Sequence, residues 1–467
     1  MVRTKSEFLT TDLNQNILKI TTGMNNTADL KQRRITFSNK SVILLYLDTL
    51  IDKESIEIHI ISPLNKQISD SVEESLSTTQ FTMLTTLKDI SIALAKGNTI
   101  LLEENNDKAY SIMALSREKR AINESLNEKV TLGAHDGFVE NASSNISLLR
   151  KRLGTPEFTV EYLHAGSLTN VEIAVCFLDS TVDKDTLHMI KDRLERLTDQ
   201  EVILSRQVQE ALEDRPFSPF PQTLRTERPD RAAGHLLNGS VVVFLDHEPS
   251  ALITPVSFQS FLRSPEDLNS RWFVNLFYYS LRMLAFILSV TLPAFYIAVN
   301  AYHAAILPVS TFYTLKLSVL NVPFHPLMEA AMMQVVLELL KEASVRLPSA
   351  VAQTIGTVGA IVIGSAIVQT NFISNTMVVV IAITAVSSFV IPIGEMSTTI
   401  RLMSFPLIFL AATFGFIGIA VGLMIYQTHL VKLTSSGRAY LDSPKILRSF
   451  KNNSTHKKKG LGKNAHE

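Results

Sequence analysis

Cysteine is nearly absent from this chain. Cys176 stands alone among 467 residues, which excludes an intrachain disulfide framework. It lies in the apolar run "VEIAVCFLD" and reads as a small buried hydrophobe in a strand rather than a reactive thiol. An excess of either charge is also missing. Forty-four basic residues face 44 acidic ones, so the balance gives no argument for a nucleic-acid partner. The opening "MVRTKSEFLTTDLNQNILK" lacks the apolar core of a secretory signal, so the N-terminal part is expected to stay in the cytoplasm. No metal-ligand spacing, glycine-rich phosphate loop or nucleophile elbow occurs, and neither cofactor nor metal is expected. "GTVGAIVIG" has glycines, but no strand precedes it, and it reads as helix packing.

Charge itself runs out in the last third. From Phe273 to Val431 the charged residues are Arg282, Lys316, Glu329, Glu338, Lys341, Glu342, Arg346, Glu395 and Arg401, whereas the preceding chain is charged at an ordinary soluble density. The expected fold is an α/β soluble N-terminal region of two subdomains, followed by an α-helical polytopic membrane domain. Residues 1–34 read as a flexible tail, 35–135 as the first α/β subdomain, and 136–262 as a linking helix and the second. Residues 263–431 read as the membrane domain and 432–467 as a basic cytoplasmic tail.

In the soluble part, "SVILLYLDTLIDKESIEIHIISPL" reads as two strands about a charged turn, 67–96 as a helix or helix pair, and "NTILLEENNDKAYSIMAL" as a hairpin turned at Glu104–Asp107. "YLDTLIDKES" (46–55) aligns without a gap on "FLDSTVDKDT" (177–186). This is either a structural repeat or a chance likeness of strand ends. Asp48 and Asp179 read as strand ends or helix caps rather than catalytic carboxylates. "DGFVENASSNISLLRKRL" (136–153) reads as a helix with Arg150, Lys151 and Arg152 at its favoured end. The proline-rich 215–230 reads as an ordered, irregular connector.

In the membrane part, a helix capped by Ser264, Pro265 and Asp267 leads into a first span at 282–302. No charge at all occurs from Leu347 to Gly394. A span needs about 20 apolar residues, so that stretch holds two, 352–370 and 376–393, with a further one at 402–426. The basic tail is cytoplasmic by the positive-inside rule. Both ends then share one side and the crossings are even in number. That parity, and a cost of about 2.5–3.5 kcal/mol per ionised residue at mid-bilayer, favour an amphipathic or re-entrant helix at 327–346. The alternative is a true span whose charged face lines water or a partner protein. Gln353, Thr357, Ala360 and Gly364 share one face of 352–370, as small-residue packing or as the lining of a water-filled path.

The order and spacing of several stretches resemble the A subunit of GerA-type spore germinant receptors. They are "PFPQ" (219–222), "TERPD" (226–230), "SPEDL" (264–268), "LPAFYIA" (292–298), "VPF" with Glu329, Glu338 and Arg346, "GTVGAIVIG" (356–364), and "SFVIP" with "IRLMSFPL". The sequence departs from that pattern at His325, at Gln334 and in "GAHDGF" (133–138). The resemblance implies a non-enzymatic subunit in the inner membrane of dormant spores. It implies a transporter-like B subunit and a lipoprotein C subunit as partners, membrane lipid around the helices, and a homo-oligomeric, pentameric ion channel opened by nutrient. Glu329, Glu338, Glu342 and Arg346 are then candidates for a coupling helix, and Gln353, Thr357, Ala360 and Gly364 for the pore. Two rival classes remain: a transporter, disfavoured by the lack of internal symmetry, and a membrane-anchored enzyme, disfavoured by the lack of a catalytic constellation.

Overall fold

The computed structural model describes residues 8–37, 40–65, 72, 76, 80–113, 128, 133–320, 322–346 and 369–441. The candidate pore residues Gln353, Thr357, Ala360 and Gly364 lie outside them. The described chain builds two antiparallel five-stranded sheets and then a helical bundle.

The first sheet holds β1 (Leu30–Phe37), β2 (Lys40–Leu47), β3 (Phe81–Leu84), β4 (Asn98–Glu103) and β5 (Ala109–Met113), in the order β1-β2-β4-β5-β3. The second holds β6 (Phe158–Ala165), β7 (Val171–Leu178), β8 (Leu224–Thr226), β9 (Val241–Leu245) and β10 (Ala251–Thr254), in the order β6-β7-β9-β10-β8. Counted within each sheet, the two orders are identical. The repeated sequence occupies matching places: β2 and β7 end at Leu47 and Leu178, and Asp52 and Asp183 cap the helices that follow. Asp48 pairs with Lys53, and Asp179 with Lys184, on the surface. The likeness is therefore a structural repeat, and the carboxylates inside it are caps and surface pairs.

The uninterrupted apolar strands are explained by burial on both faces. In β7, Ile173, Val175 and Phe177 enter one core, while Ala174, Cys176 and Leu178 enter the other. Helices α5 (Lys184–Glu195) and α6 (Ser205–Leu212) cover the first face through Leu187, Ile190, Leu194, Val208 and Leu212. Helices α4 (Ala142–Leu153) and α7 (Pro229–Leu237) cover the second. That second core does not stop at the domain edge. It continues through Phe258 and Tyr440 into Ile297, Ile400 and Leu407 of the bundle.

Several expectations need correction here. Residues 13–34 are no tail. Helix α1 (Leu13–Gly23), capped by Asp12, buries Leu13 and Ile20 against the first sheet, with Met24 just past its end, and β1 follows at Leu30. The 67–96 stretch contains edge strand β3 ahead of α3 (Leu87–Ala95), rather than helix alone. The connector 215–230 contains β8 and the start of α7. The tail's first residues also dock. Strands β11 (Thr434–Ser435) and β12 (Arg438–Ala439) form a small hairpin, and fully buried Tyr440 donates to the Pro221 carbonyl at 2.6 Å.

The bundle comprises α8 (Trp272–Ala301), α9 (Val309–Leu320), α10 (Pro326–Arg346), α11 (Asn375–Phe389) and α12 (Gly394–Lys432). Two of these segments, Trp272–Ala301 and Gly394–Lys432, are long and apolar enough to cross a membrane. The second is no straight rod. Gly415 takes φ 62° and ψ −137°, a conformation essentially closed to residues with a side chain. Tyr426 reaches back to the Met403 carbonyl at 2.8 Å. Along one continuous helix those residues would be about 34 Å apart. The chain therefore reverses at Gly415 into two antiparallel arms, 394–414 and 416–432, in place of the single span expected at 402–426. At the crossing Gly418 lies so near the Leu410 carbonyl that a Cβ there would clash with that oxygen. Helix α10 runs lengthwise beside the first arm instead of lying across the bundle's end, as the contacts below show.

Candidate functional site in the helical bundle

The charged residues of α10 meet those of α12 along one polar seam. Arg401 donates from Nε to Glu338 at 2.5 Å, from Nη1 to Ser397 at 2.9 Å and from Nη2 to Thr398 at 3.2 Å. Lys341 donates to Thr398 at 3.4 Å, and Gln334 Nε2 to Ser404 at 3.0 Å. Residues 334, 338 and 341 recur at helical spacing on one face, and 397, 401 and 404 on the face opposite. Their pairing runs antiparallel, which orients α10 along the first arm. Of the three acids of α10, Glu338 is thereby paired with the lone arginine of an apolar neighbour. A cavity of about 40 Å³ opens beside the seam between Gln334, Glu338, Lys341, Thr384, Arg401 and Ser404, room for one water-sized molecule.

The four candidate coupling residues do not form one cluster. Glu338 belongs to the seam. Glu342 and Arg346 pair with each other on an exposed surface at 2.6 Å, a contact of little energetic weight. Glu329 is fully buried in the first turn of α10, away from the seam, where it accepts the Ser374 backbone N–H at 2.8 Å. Arg401 and Ser404 are site residues that sequence reasoning missed. The lone charge inside "TTIRLMSFPL" was their signal.

Below the seam the first arm stands on the second subdomain. Thr399 donates to the Pro219 carbonyl at 2.6 Å. The Gln209 amide bridges Glu213 at 3.3 Å and Glu395 at 3.4 Å. Burial pushes the Glu213 carboxyl above its ordinary range; Gln222, Arg206 and Gln209 oppose this, and the Glu395 charge adds to it. Arg282, about three turns into α8, is held by Asp267 at 2.5 Å, and His429 near the end of α12 lies 2.8 Å from Ser218.

The two subdomains are clamped by Arg150. Its Nε and Nη2 reach the Asp29 carboxylate at 2.7 and 2.6 Å, and Thr27 and Thr49 complete the network, all of it buried. Burial alone would raise the Asp29 carboxyl, but Arg150 and the two threonines outweigh it and hold it below the usual carboxylate range. The sequence assigned Arg150 to a helix end; the structure gives it a partner 121 residues away. Burial pushes the Cys176 thiol far up, away from a thiolate.

A family model described as "Bacillus/Clostridium GerA spore germination protein" matches residues 18–457. The chain belongs to the GerA family. Its relatives include the "Uncharacterized membrane protein YfkQ" of Bacillus subtilis (strain 168), 30% identical over 438 residues, covering 92% of this chain and 85% of the relative. Another is "Spore germination protein GerQA" of Bacillus cereus, 33% identical over 412 residues, covering 87% and 82%. Among solved structures, the N-terminal domain of the A subunit of the Bacillus megaterium spore germinant receptor GerK3 aligns with TM-score 0.43 and 20% identity, covering 55% of this chain and 99% of that one. The seam of this GerA protein joins two stretches on which the sequence resemblance rested, the segment of Glu338 and Arg346 and "IRLMSFPL".

Proposed function

We propose that the chain is the A subunit of a nutrient germinant receptor in the spore inner membrane, where it takes part in nutrient sensing and triggers germination. It acts without enzymatic chemistry, assembling with copies of itself, as a pentamer by the family resemblance, around a ligand-gated ion path. A transporter-like B subunit and a lipoprotein C subunit are its partners. Family membership supports the role in germination. The observation that favours a gated path is the Glu338–Arg401 pair, a charged contact between two helices of an apolar bundle. Such a contact has a bonded and an unbonded state, and the arm carrying Arg401 stands on the soluble domain through Thr399.

On this reading α8, α10, α11 and the two arms of α12 make five crossings among the described residues, and the span expected from sequence at 352–370, which lies outside them apart from its last two residues, brings the number to six. The even number keeps the α/β subdomains and the tail on the cytoplasmic side. The test is cation flux from vesicles containing the purified chain, with and without its B and C partners and nutrient. Flux that requires partners and nutrient together supports the reading. Nutrient accumulation by the chain alone would make it a transporter, and no flux under any condition would leave a signalling protein without a pore.

A further inference from the structure

Glu329 is the least expected side chain of the bundle. It is 0% exposed, in a core shared with Ala330, Met333, Tyr296, Ile373 and Met377. One carboxylate oxygen accepts the Ser374 N–H; the other has no partner among the described residues. No described lysine, arginine or histidine is paired with it. The sequence from Leu347 to Gly394 offers none either. The N-terminus of α11 adds only a partial positive charge, about half an elementary unit. A buried carboxylate left in this state is strongly disfavoured unless something neutralises it.

We propose that Glu329 is the charged ligand of a buried site for a monovalent alkali cation. Its remaining ligands are hydroxyls. Ser374 Oγ, which caps α11 by accepting the Met377 N–H at 3.3 Å, lies 3.4 Å from the hydroxyl of Tyr296. The set contains oxygen and no sulfur or imidazole, the chemistry of hard cations. One negative charge balances one positive charge, whereas a divalent ion would leave an uncompensated charge in the core. Asn300 stands one turn beyond Tyr296 on α8 and holds a buried amide nitrogen with no partner among the described residues. Turning that amide over replaces the nitrogen with a further oxygen. The inference does not depend on the chain forming a channel.

The experiment uses the purified full chain in detergent, melted in sodium, potassium or rubidium chloride against N-methyl-D-glucamine chloride at equal ionic strength. An alkali cation should raise Tm by about 1–2 °C at ten times the Kd and then logarithmically with concentration, and the curve yields the Kd at which binding is half-saturated. Glu329→Gln should abolish the response, and Glu342→Gln on the exposed surface should keep it. Should Glu329→Gln fail to fold, Tyr296→Phe is expected to move half-saturation to higher cation. Equal melting in all salts overturns the site. So does a response that survives Glu329→Gln, or an unchanged half-saturation in Tyr296→Phe. A dependence on pH with none on alkali cation would make the ligand a proton and overturn it too. Loss of germination activity has no bearing on this readout, so its failure and that of the receptor reading are separable.

Discussion

Tyr426 donates its hydroxyl hydrogen to the carbonyl of Met403 at 2.8 Å, though the two lie 23 positions apart in a largely apolar sequence. This contact defines a helical hairpin inside what reads as a single span, and it carries the first prediction. Gly422 and Leu407 face each other across the same crossing. Cysteines at 407 and 422, in a Cys176→Ser background, should cross-link within one chain. Absence of the intramolecular product would restore the single rod. Gly415→Val should cost about 1–3 kcal/mol, because its backbone conformation excludes a branched side chain, and should lower Tm.

The seam predicts a coupling. Arg401→Ala leaves Glu338 without its cation, and Glu338→Ala leaves Arg401 facing an apolar bundle. Each should cost about 1–3 kcal/mol. The double variant Glu338→Gln with Arg401→Gln should lose less than the sum of the corresponding single variants, by about 0.5–3 kcal/mol. Strict additivity in thermal unfolding would mean that the contact has no energetic content.

Two carboxylates give opposite pH dependences. Asp29 is held below its unfolded value of about 3.9. Its contribution is therefore full above that pH and is lost as pH falls toward the folded pKa. Glu213 is pushed above its unfolded value of about 4.3, so it disfavours the fold increasingly as pH rises from there through its folded pKa. Glu213→Gln should flatten the loss of stability on raising the pH above that value. Arg150→Met should lower stability at neutral pH and weaken its further loss on acidification. Melting curves from pH 3 to 7 check both, and Glu213→Gln with an unchanged profile would refute the assignment.

The docked segment after the bundle predicts a boundary. Tyr440 fills a pocket between Phe258 and Phe261 and is fully buried. Tyr440→Ala should cost about 3–5 kcal/mol, as for other large aromatic truncations. A chain stopped after Leu433 should accumulate poorly, whereas one stopped after Leu441 should melt like the full protein. Equal melting of the two truncations would show that the segment does not support the fold.

What could be read from the amino acids was whatever long patterns record. "VEIAVCFL" and "VVVFL" announce strands because burial on both faces requires unbroken apolar residues, and the Asp-Lys repeat marked two equivalent units. The edge strand Leu224–Thr226 is too short to carry a period and sits among prolines. Helix Leu13–Gly23 was hidden because three buried residues among polar ones look like a tail until a sheet is there to cover them. The reversal at Gly415 was invisible for a different reason. Glycine is ordinary in an apolar helix, and only the antiparallel contacts of Tyr426 and Gly418 distinguish a turn from a straight passage. Arg401 was visible as a lone charge, but its partner on another helix is a tertiary fact.

The last described segment returns to where the bundle began. Arg282 of α8 donates to the Leu262 carbonyl at 3.3 Å, and Asp214 accepts from Arg193 at 2.6 Å, from the Gly437 N–H at 3.1 Å and from Thr434, so both ends of the bundle are tied to the second subdomain. The bundle is thus anchored like a handle fixed at both roots. Whatever displaces that subdomain must therefore carry the first helix and the final arm with it or break these contacts.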